Sequence, residues 1–290
     1  MCLLGTGLTA IDVLQSLGGS ARRAPVMAFS RRGLLPSAHA PAPLTPIDPR
    51  DWLEPCLRAG AEMSTRALTR RIRRAILAAE SAGQDWRQVI DGLRPPISAI
   101  WGALPHCERN RFLRHTRAFW EVMRHRMAPS VAEEVRVAAS RGIFNAAAAR
   151  ILSARGDLGG ATLTVRRRGE SVQESLRFDW IVNCTAPGSG REYGFPSSIA
   201  KLIDTGHLEE DPLGLGARST PNGQAVVDGK VIEDLVLMGS LRKADLWEST
   251  AVPELRVQAD RAADTIIQLI DRPGEHSGDR HRGQMATAGA

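Results

Sequence analysis

The stretch "MCLLGTGLTAIDVLQSL" (residues 1–17) decides how the rest of the chain is read. The apolar residues Cys2, Leu3 and Leu4 run into Gly5-Thr6-Gly7-Leu8-Thr9-Ala10, which fits the pattern G-x-G-x-x-G/A. Apolar residues then recur at helical spacing through Leu17. The sequence predicts a strand end, a tight turn and a helix. Gly5 allows the turn, Gly7 lets the backbone approach a pyrophosphate, and Ala10 is small enough for close helix–strand packing. The first N–H groups of such a helix, with its dipole behind them, favour a phosphate.

The next segment, "APVMAFSRRG" (24–33), is a short apolar run with a polar end and reads as a second strand. In a dinucleotide site that binds NAD, an Asp or Glu at the end of this strand takes the ribose 2′-hydroxyl. Here the position holds Ser30-Arg31-Arg32. A hydroxyl and two guanidiniums suit a 2′-phosphate, because Arg gives charge-assisted, bidentate hydrogen bonds. The expectation is NADP(H) rather than NAD(H).

"LLPSAHAPAPLTPIDPR" (34–50) follows, too rich in proline for a helix, and reads as an extended linker. Residues 51–142 change character, with apolar residues at helical spacing and Asp51, Asp85 and Ser130 as expected N-caps. Beyond Gly142, "ATLTVRRR" (161–168) alternates, and "LRFDWIVNC" (176–184) follows a polar turn, so the two read as a β-hairpin. "AVVDG" (225–229) and "LVLMGS" (235–240) read as short strands, and "VPELRVQADRAADTIIQLI" (252–270) as an amphipathic helix with Pro253 in its first turn. The tail 272–290 has no periodicity and reads as disordered.

Composition narrows the class. Of the 290 residues, 43% are hydrophobic and 24% charged, the balance of a soluble globular chain. No apolar run approaches the ~20 residues of a membrane helix. The N-terminus lacks the basic residues and unbroken apolar core of a secretory signal, so a cytoplasmic, membrane-free protein is expected. Cys2, Cys56, Cys107 and Cys184 show no metal-ligand spacing and read as reduced thiols, with no metal site. The net charge of +6 leaves phosphate-bearing ligands open.

With both ends in view, the chain resembles the uncharacterised bacterial FAD/NAD(P)-binding oxidoreductases related to flavin monooxygenases. The resemblance rests on "LLGTGLTAIDVLQSL", "SRRGLLPSAHAP", "DWIVNCTAP" and "LVLMGSLRKADLWESTAVPELRVQA". It implies an α/β flavoprotein fold. A Rossmann-like NADP domain would occupy 1–50 and carry a helical elaboration at 51–142. The C-terminal part of an FAD-type domain would occupy 143–271. Gly5, Thr6, Gly7, Leu8, Thr9, Ala10, Ser30, Arg31 and Arg32 would hold NADP(H). Thr185 and Ala186 would form a strand-end turn, Gly239 and Ser240 would face the flavin chain, and Thr250 and Ala251 would start a helix near the flavin ring. The family's N-terminal FAD fingerprint has no counterpart here, so the chain reads as a truncated or split form carrying only the flavin-ring side of an FAD site.

Two functional readings follow. In one, NADPH passes hydride to a flavin in a monooxygenase-like oxidoreductase with a small-molecule substrate. In the other, the chain is a non-catalytic NADPH-binding remnant or partner subunit that needs another chain to bind FAD. Strands left without neighbours would invite a partner chain or a second copy. No catalytic acid, base or nucleophile stands out; cofactors carry such chemistry. His39 reads as a loop residue, Cys184 as a small core residue, and Trp247 and Glu248 as either packing or ligand contacts. The arginines of "TRALTRRIRRAI" (65–76) read as a solvated, salt-bridged face rather than a nucleic-acid surface. The Arg31→Ala/Arg32→Ala double variant is expected to lose NADPH affinity in a binding titration.

Overall fold

The computed structural model describes residues 1–18, 24–58, 63–185 and 197–271. These fall into two compact units, Met1–Pro187 and Gly188–Ala290, each considered by itself. Ala186, expected in the strand-end turn, and the tail 272–290 lie outside the described residues.

The first unit is built on a six-stranded sheet. Its strands are β1 (Cys2–Leu4), β2 (Val26–Ser30), β3 (Phe144–Asp157), β4 (Gly160–Arg167), β5 (Gln173–Phe178) and β6 (Ile181–Asn183). Their order is β5-β4-β3-β2-β1-β6. Pairs β1–β2, β1–β6 and β2–β3 are parallel, and β3–β4 and β4–β5 antiparallel. The mixed α/β character expected from sequence is present.

Strand alternation sets two cores, because successive side chains point to opposite faces. Leu3, Val26, Ala28 and Phe144 join Ala10, Ile11 and Leu14 of α1 (Leu8–Ser16) and Val135 and Ala138 of α8 (Pro129–Ser140). Cys2, Phe29 and Ala149 lie on the other face, packed with Leu163 and Val165.

That second core has a geometric cause. β5 and β6 are opposite edges of the sheet, five strand spacings or about 24 Å apart if flat. The chain from Phe178 to Ile181 can span at most about 11 Å. The sheet must therefore curl, and β3 supplies the bend. Its first residues, Phe144–Ala148, pair with β2, and its remainder pairs with β4 across an irregularity between Ile151 and Ser153. The curl lays β4 and β5 over β1 and β2, where Phe178 meets Phe29 edge to face, ring centroids 6.5 Å apart.

Two sequence expectations change here. Residues 176–184 are not one strand: the chain leaves β5 at Phe178 and re-enters the sheet beside β1 as β6, where Trp180 accepts a hydrogen bond from Cys2 N–H. The alanine-rich start of β3 carried no strand signal. Alanine favours helix in isolation, and the strand is imposed by pairing with β2. The first unit runs through to Pro187, so residues 144–183 complete the same sheet as β1 and β2.

Between β2 and α8 the chain forms α2 (Arg50–Arg58), α3 (Thr65–Ser81), α4 (Trp86–Gly92), α5 (Ile97–Ala103), α6 (His106–Arg111), a π-helical turn (Phe112–Thr116) and α7 (Arg117–Arg124). Asp85 caps α4 in a capping box with Gln88. Asp51 lies inside α2, and α8 is capped at Ala128 with Pro129 starting the helix, so Asp51 and Ser130 are not caps. Arg66, Arg70, Arg73 and Arg74 of α3 are exposed and form no ion pair among the described residues.

The second unit holds α9 (Ser197–Asp204), a hairpin of β7 (Gln224–Val227) and β8 (Lys230–Val236), a 3-10 turn (Gly239–Arg242), α10 (Lys243–Leu246) and α11 (Val252–Ile270). Asp228-Gly229, both at positive φ, make the hairpin turn, a signal that starts β8 earlier than the apolar run alone suggests. Its core gathers Leu208, Ala217, Ala225 and Leu237.

Leu163→Ala removes a fully buried side chain from the core that the curl creates. It is expected to lower unfolding stability by about 2–5 kcal/mol in a denaturant titration. Leu158→Ala, at a fully exposed loop position, should change it by less than about 0.5 kcal/mol.

Candidate functional site

The carboxyl ends of β1, β2 and β6 meet at one point, and Gly5 stands there. Its N–H donates to the Phe29 carbonyl at 2.7 Å, while the Cys184 N–H donates to the Leu4 carbonyl at 2.8 Å. Gly5 has φ +110, and a Cβ placed on it would sit 2.8 Å from the Cys184 carbonyl oxygen. The position therefore admits only glycine.

Gly7 is different in kind. It has φ −82 and is the N-cap of α1, and a Cβ there would meet nothing within 4 Å. Neither backbone geometry nor packing requires glycine; open space lies in front of it. No side chain caps α1, and its first turn carries no acidic residue. The N–H groups of Leu8 and Thr9 find no partner among the described residues, whereas Ala10 and Ile11 donate back to the Gly7 carbonyl. The result is an open anion cradle with the positive end of the α1 dipole behind it. Ala10 is fully buried against the strands. These features fit the pyrophosphate of a dinucleotide.

At the end of β2 the three expected 2′-phosphate residues separate. Ser30 Oγ lies 2.9 Å from Thr6 Oγ1 and accepts the Gly33 N–H at 2.9 Å. Thr6 Oγ1 also lies 2.6 Å from the Leu34 carbonyl, which can only accept. The Thr6 proton goes to Leu34, and the Ser30 hydroxyl serves the turn itself. Arg32 reaches the helical segment: Nη2 donates to the carbonyls of His115 at 3.0 Å and Arg114 at 3.4 Å, and its guanidinium lies 4.8 Å from the Phe119 ring centroid. Arg32 thus straps β2 to the π-helical turn. Arg31 is exposed and makes no hydrogen bond or ion pair among the described residues.

Sequence reading missed Gly33. Its φ is +65, and a Cβ there would come within 2.7 Å of Ala148 N on β3. The signal was the glycine that ends "SRRG". Beside the cradle, Thr185 N–H and Oγ1 both donate to Asn183 Oδ1, at 3.1 and 2.7 Å. Burial raises the Cys184 thiol and pushes Cys2 up to about 11, so both stay protonated at neutral pH.

In the second unit, Gln258 of α11 is buried and ties the expected position Gly239 to Ser249, the residue before Thr250. It accepts the Gly239 N–H at 2.9 Å and donates to the Ser249 carbonyl at 2.8 Å. Ser240, Thr250 and Ala251 are exposed, and Ala251 is the N-cap of α11. Pro253 has no N–H to offer there, and Glu254 already places a carboxylate in the first turn. The Ser249 hydroxyl is buried without a hydrogen-bond partner among the described residues. Trp247 is buried at φ +61 with Lys243 Nζ 5.0 Å from its ring centroid. Arg242, fully buried, donates to Ser219 Oγ and to the carbonyls of Thr220 and Pro221.

No family model and no curated protein matches the sequence. Solved structures do share its fold. L-lysine 6-monooxygenase from Pseudomonas syringae superposes with a TM-score of 0.55 at 15% identity, over 93% of this chain and 54% of that one. Ornithine hydroxylase PvdA from Pseudomonas aeruginosa gives 0.51 at 14%, over 93% and 52%. DfoA from Erwinia amylovora, a cadaverine monooxygenase bound to FAD, gives 0.52 at 12%, over 99% and 55%. The chain thus spans about half the length of the structures it matches. No helix among the described residues is long and apolar enough to cross a membrane.

The two glycines separate in experiment. Gly5→Ala is expected to destabilise the protein by several kcal/mol, because it combines positive φ with a backbone clash. Gly7→Ala should leave thermal stability within about 1 kcal/mol of the parent, since its backbone conformation suits any residue.

Proposed function

We propose that this chain is an oxidoreductase-type protein of the FAD- and NADP(H)-using kind, and that Met1–Pro187 is its NADP(H)-binding part. The observation that carries the reading is the uncapped start of α1 facing open space at Gly7. The fold shared with a hydroxylase and two monooxygenases, one of them bound to FAD, supports it. When bound, the nicotinamide would supply a hydride and a flavin would accept it.

The chain's own contribution is binding and orientation. The N–H groups of Leu8 and Thr9 take the pyrophosphate, with the helix dipole favouring its charge. Gly7 keeps the approach clear. Thr6, Ser30 and Gly33 fix the turn after β2, so that Arg31 projects beside the ribose and pairs with the 2′-phosphate. Arg32 holds the helical segment α2–α8 to that strand end, which makes these helices an elaboration of the NADP(H) part. The flavin-side role then falls to residues 188–271.

The second reading, an NADP(H)-binding partner subunit that holds no FAD alone, is favoured by the start of α11. Pro253 and Glu254 make that helix end a poor seat for a reduced flavin's negative charge. Ile266, Ile267 and Ile270 share one side of the same helix and are exposed, an apolar surface suited to another chain. A visible flavin band in the purified protein selects the first reading; its absence after reconstitution with FAD selects the second.

Both readings require NADPH binding. Titration should give NADPH at least tenfold tighter than NADH. Arg31→Ala should weaken NADPH on the order of 10- to 100-fold, the worth of a charge-assisted hydrogen bond, and leave NADH unchanged. Equal affinity for the two cofactors, or an unchanged Arg31→Ala variant, would overturn the assignment.

A further inference from the structure

The proline-rich segment after β2 is anchored at both ends and free in the middle. Ser37 N–H donates to the Val122 carbonyl, Met127 N–H to Ser37, and His39 N–H to Met127, each at 2.8 Å. Further along, Ile47 N–H donates to the Gln88 carbonyl at 3.0 Å, and Gln88 Nε2 to the Thr45 carbonyl at 2.8 Å. Gly92 makes the second anchor possible: a Cβ there would collide with the Ile47 carbonyl oxygen at 1.8 Å. Between the anchors, residues 40–44 make no backbone hydrogen bond among the described residues. They line one side of an open surface cavity of about 300 Å³. Pro41 and Pro43 fix φ along this arch, so the wall is set before any ligand arrives.

The opposite wall is charged. It consists of Arg87 and Asp91 of α4 and of Arg126, with His39 at the strap. Arg126 has only 3% of its side chain exposed. It donates Nε to the Met123 carbonyl at 2.7 Å, and Nη1 and Nη2 to the Asp91 carboxylate at 2.9 Å each. That accounts for three of its five N–H groups. Arg87 donates Nε to the Ala38 carbonyl at 2.8 Å and Nη1 to Asp85, and its Nη2 has no partner among the described residues. Both guanidiniums lie against Trp86, at 4.6 and 5.2 Å from its ring centroid. Each guanidinium already has a carboxylate partner, Asp85 for Arg87 and Asp91 for Arg126. The wall's charges are therefore matched, but N–H groups of both guanidiniums remain without partners among the described residues, and the arch facing them is apolar.

We propose that this cavity is a ligand site separate from the dinucleotide cradle, built for a small organic anion. Its apolar body lies against residues 40–44, and its carboxylate or phosphate takes the remaining N–H groups of Arg87 and Arg126. An arch fixed by two anchors and two prolines is a preformed wall beside guanidinium N–H groups that have no partner among the described residues. The volume, at the small end for ligand pockets, limits that body to about one ring.

Calorimetric titration of the full chain with benzoate, phenyl phosphate and the neutral isostere benzamide tests the proposal. At least one of the two anions should bind saturably at one per chain, and benzamide at least tenfold more weakly. Which anion binds tighter tells a carboxylate site from a phosphate site. Arg87→Gln should weaken the anion at least tenfold in a variant that circular dichroism shows to be folded. Ala42→Glu, an exposed strap position, carries the same test if Arg87→Gln does not fold: its carboxylate should weaken anion binding at least tenfold and leave benzamide unaffected. Saturating NADPH should not displace the anion. No saturable anion binding, equal binding of benzamide, indifference to a folded variant, or displacement by NADPH would each overturn the proposal.

Discussion

The close approach of Gly5 to the Cys184 carbonyl holds the first unit together at the point where a ligand would sit. Three strand ends converge there: β1 through Gly5 itself, β2 through the Phe29 carbonyl, and β6 through Cys184 and Leu4. If any side chain stood at residue 5, β6 would be pushed off β1 and the turn into α1 would open. The same contact sets where α1 begins. Its free N–H groups therefore face outward from the carboxyl edge of the sheet, the position where open α/β sheets bind ligands.

The curl of the sheet is the other half of this constraint. β6 can reach β1 only because β3 bends and carries β4 and β5 over the face of β1 and β2. A flat sheet would leave Cys2 and Phe29 in water and would put β5 too far from β6 for the short link between them. The fold thus closes the site from behind with an antiparallel layer, and from the side with helices that Arg32 ties to the end of β2.

Much of this was legible in the sequence, at the local level. The strand, Gly turn and helix at 2–16, the second strand, the helical run after residue 50 and the Pro-started α11 all carry short-range signals of period, cap and turn. The architecture that joins them was not legible. β3 begins in an alanine run, and β6 is continuous in sequence with β5, so nothing local separates a hairpin from a crossing to the far edge. Ser30, Arg31 and Arg32 read as three equivalent ligand groups. Only the fold shows that Ser30 binds Thr6 and Gly33, that Arg32 binds the π-helical turn, and that Arg31 alone is free among the described residues. The cavity beside residues 40–44 was invisible for the same reason, since its walls come from segments some forty to eighty residues apart.

The central claim is that the open start of α1 is a dinucleotide phosphate site. Two-dimensional amide NMR of the labelled protein, recorded with and without NADP+, addresses it most directly. The account predicts saturable shifts centred on the Gly7, Leu8 and Thr9 amides and on the Arg31 side-chain Nε–H. Shifts confined to other regions, or none at saturating NADP+, would contradict it.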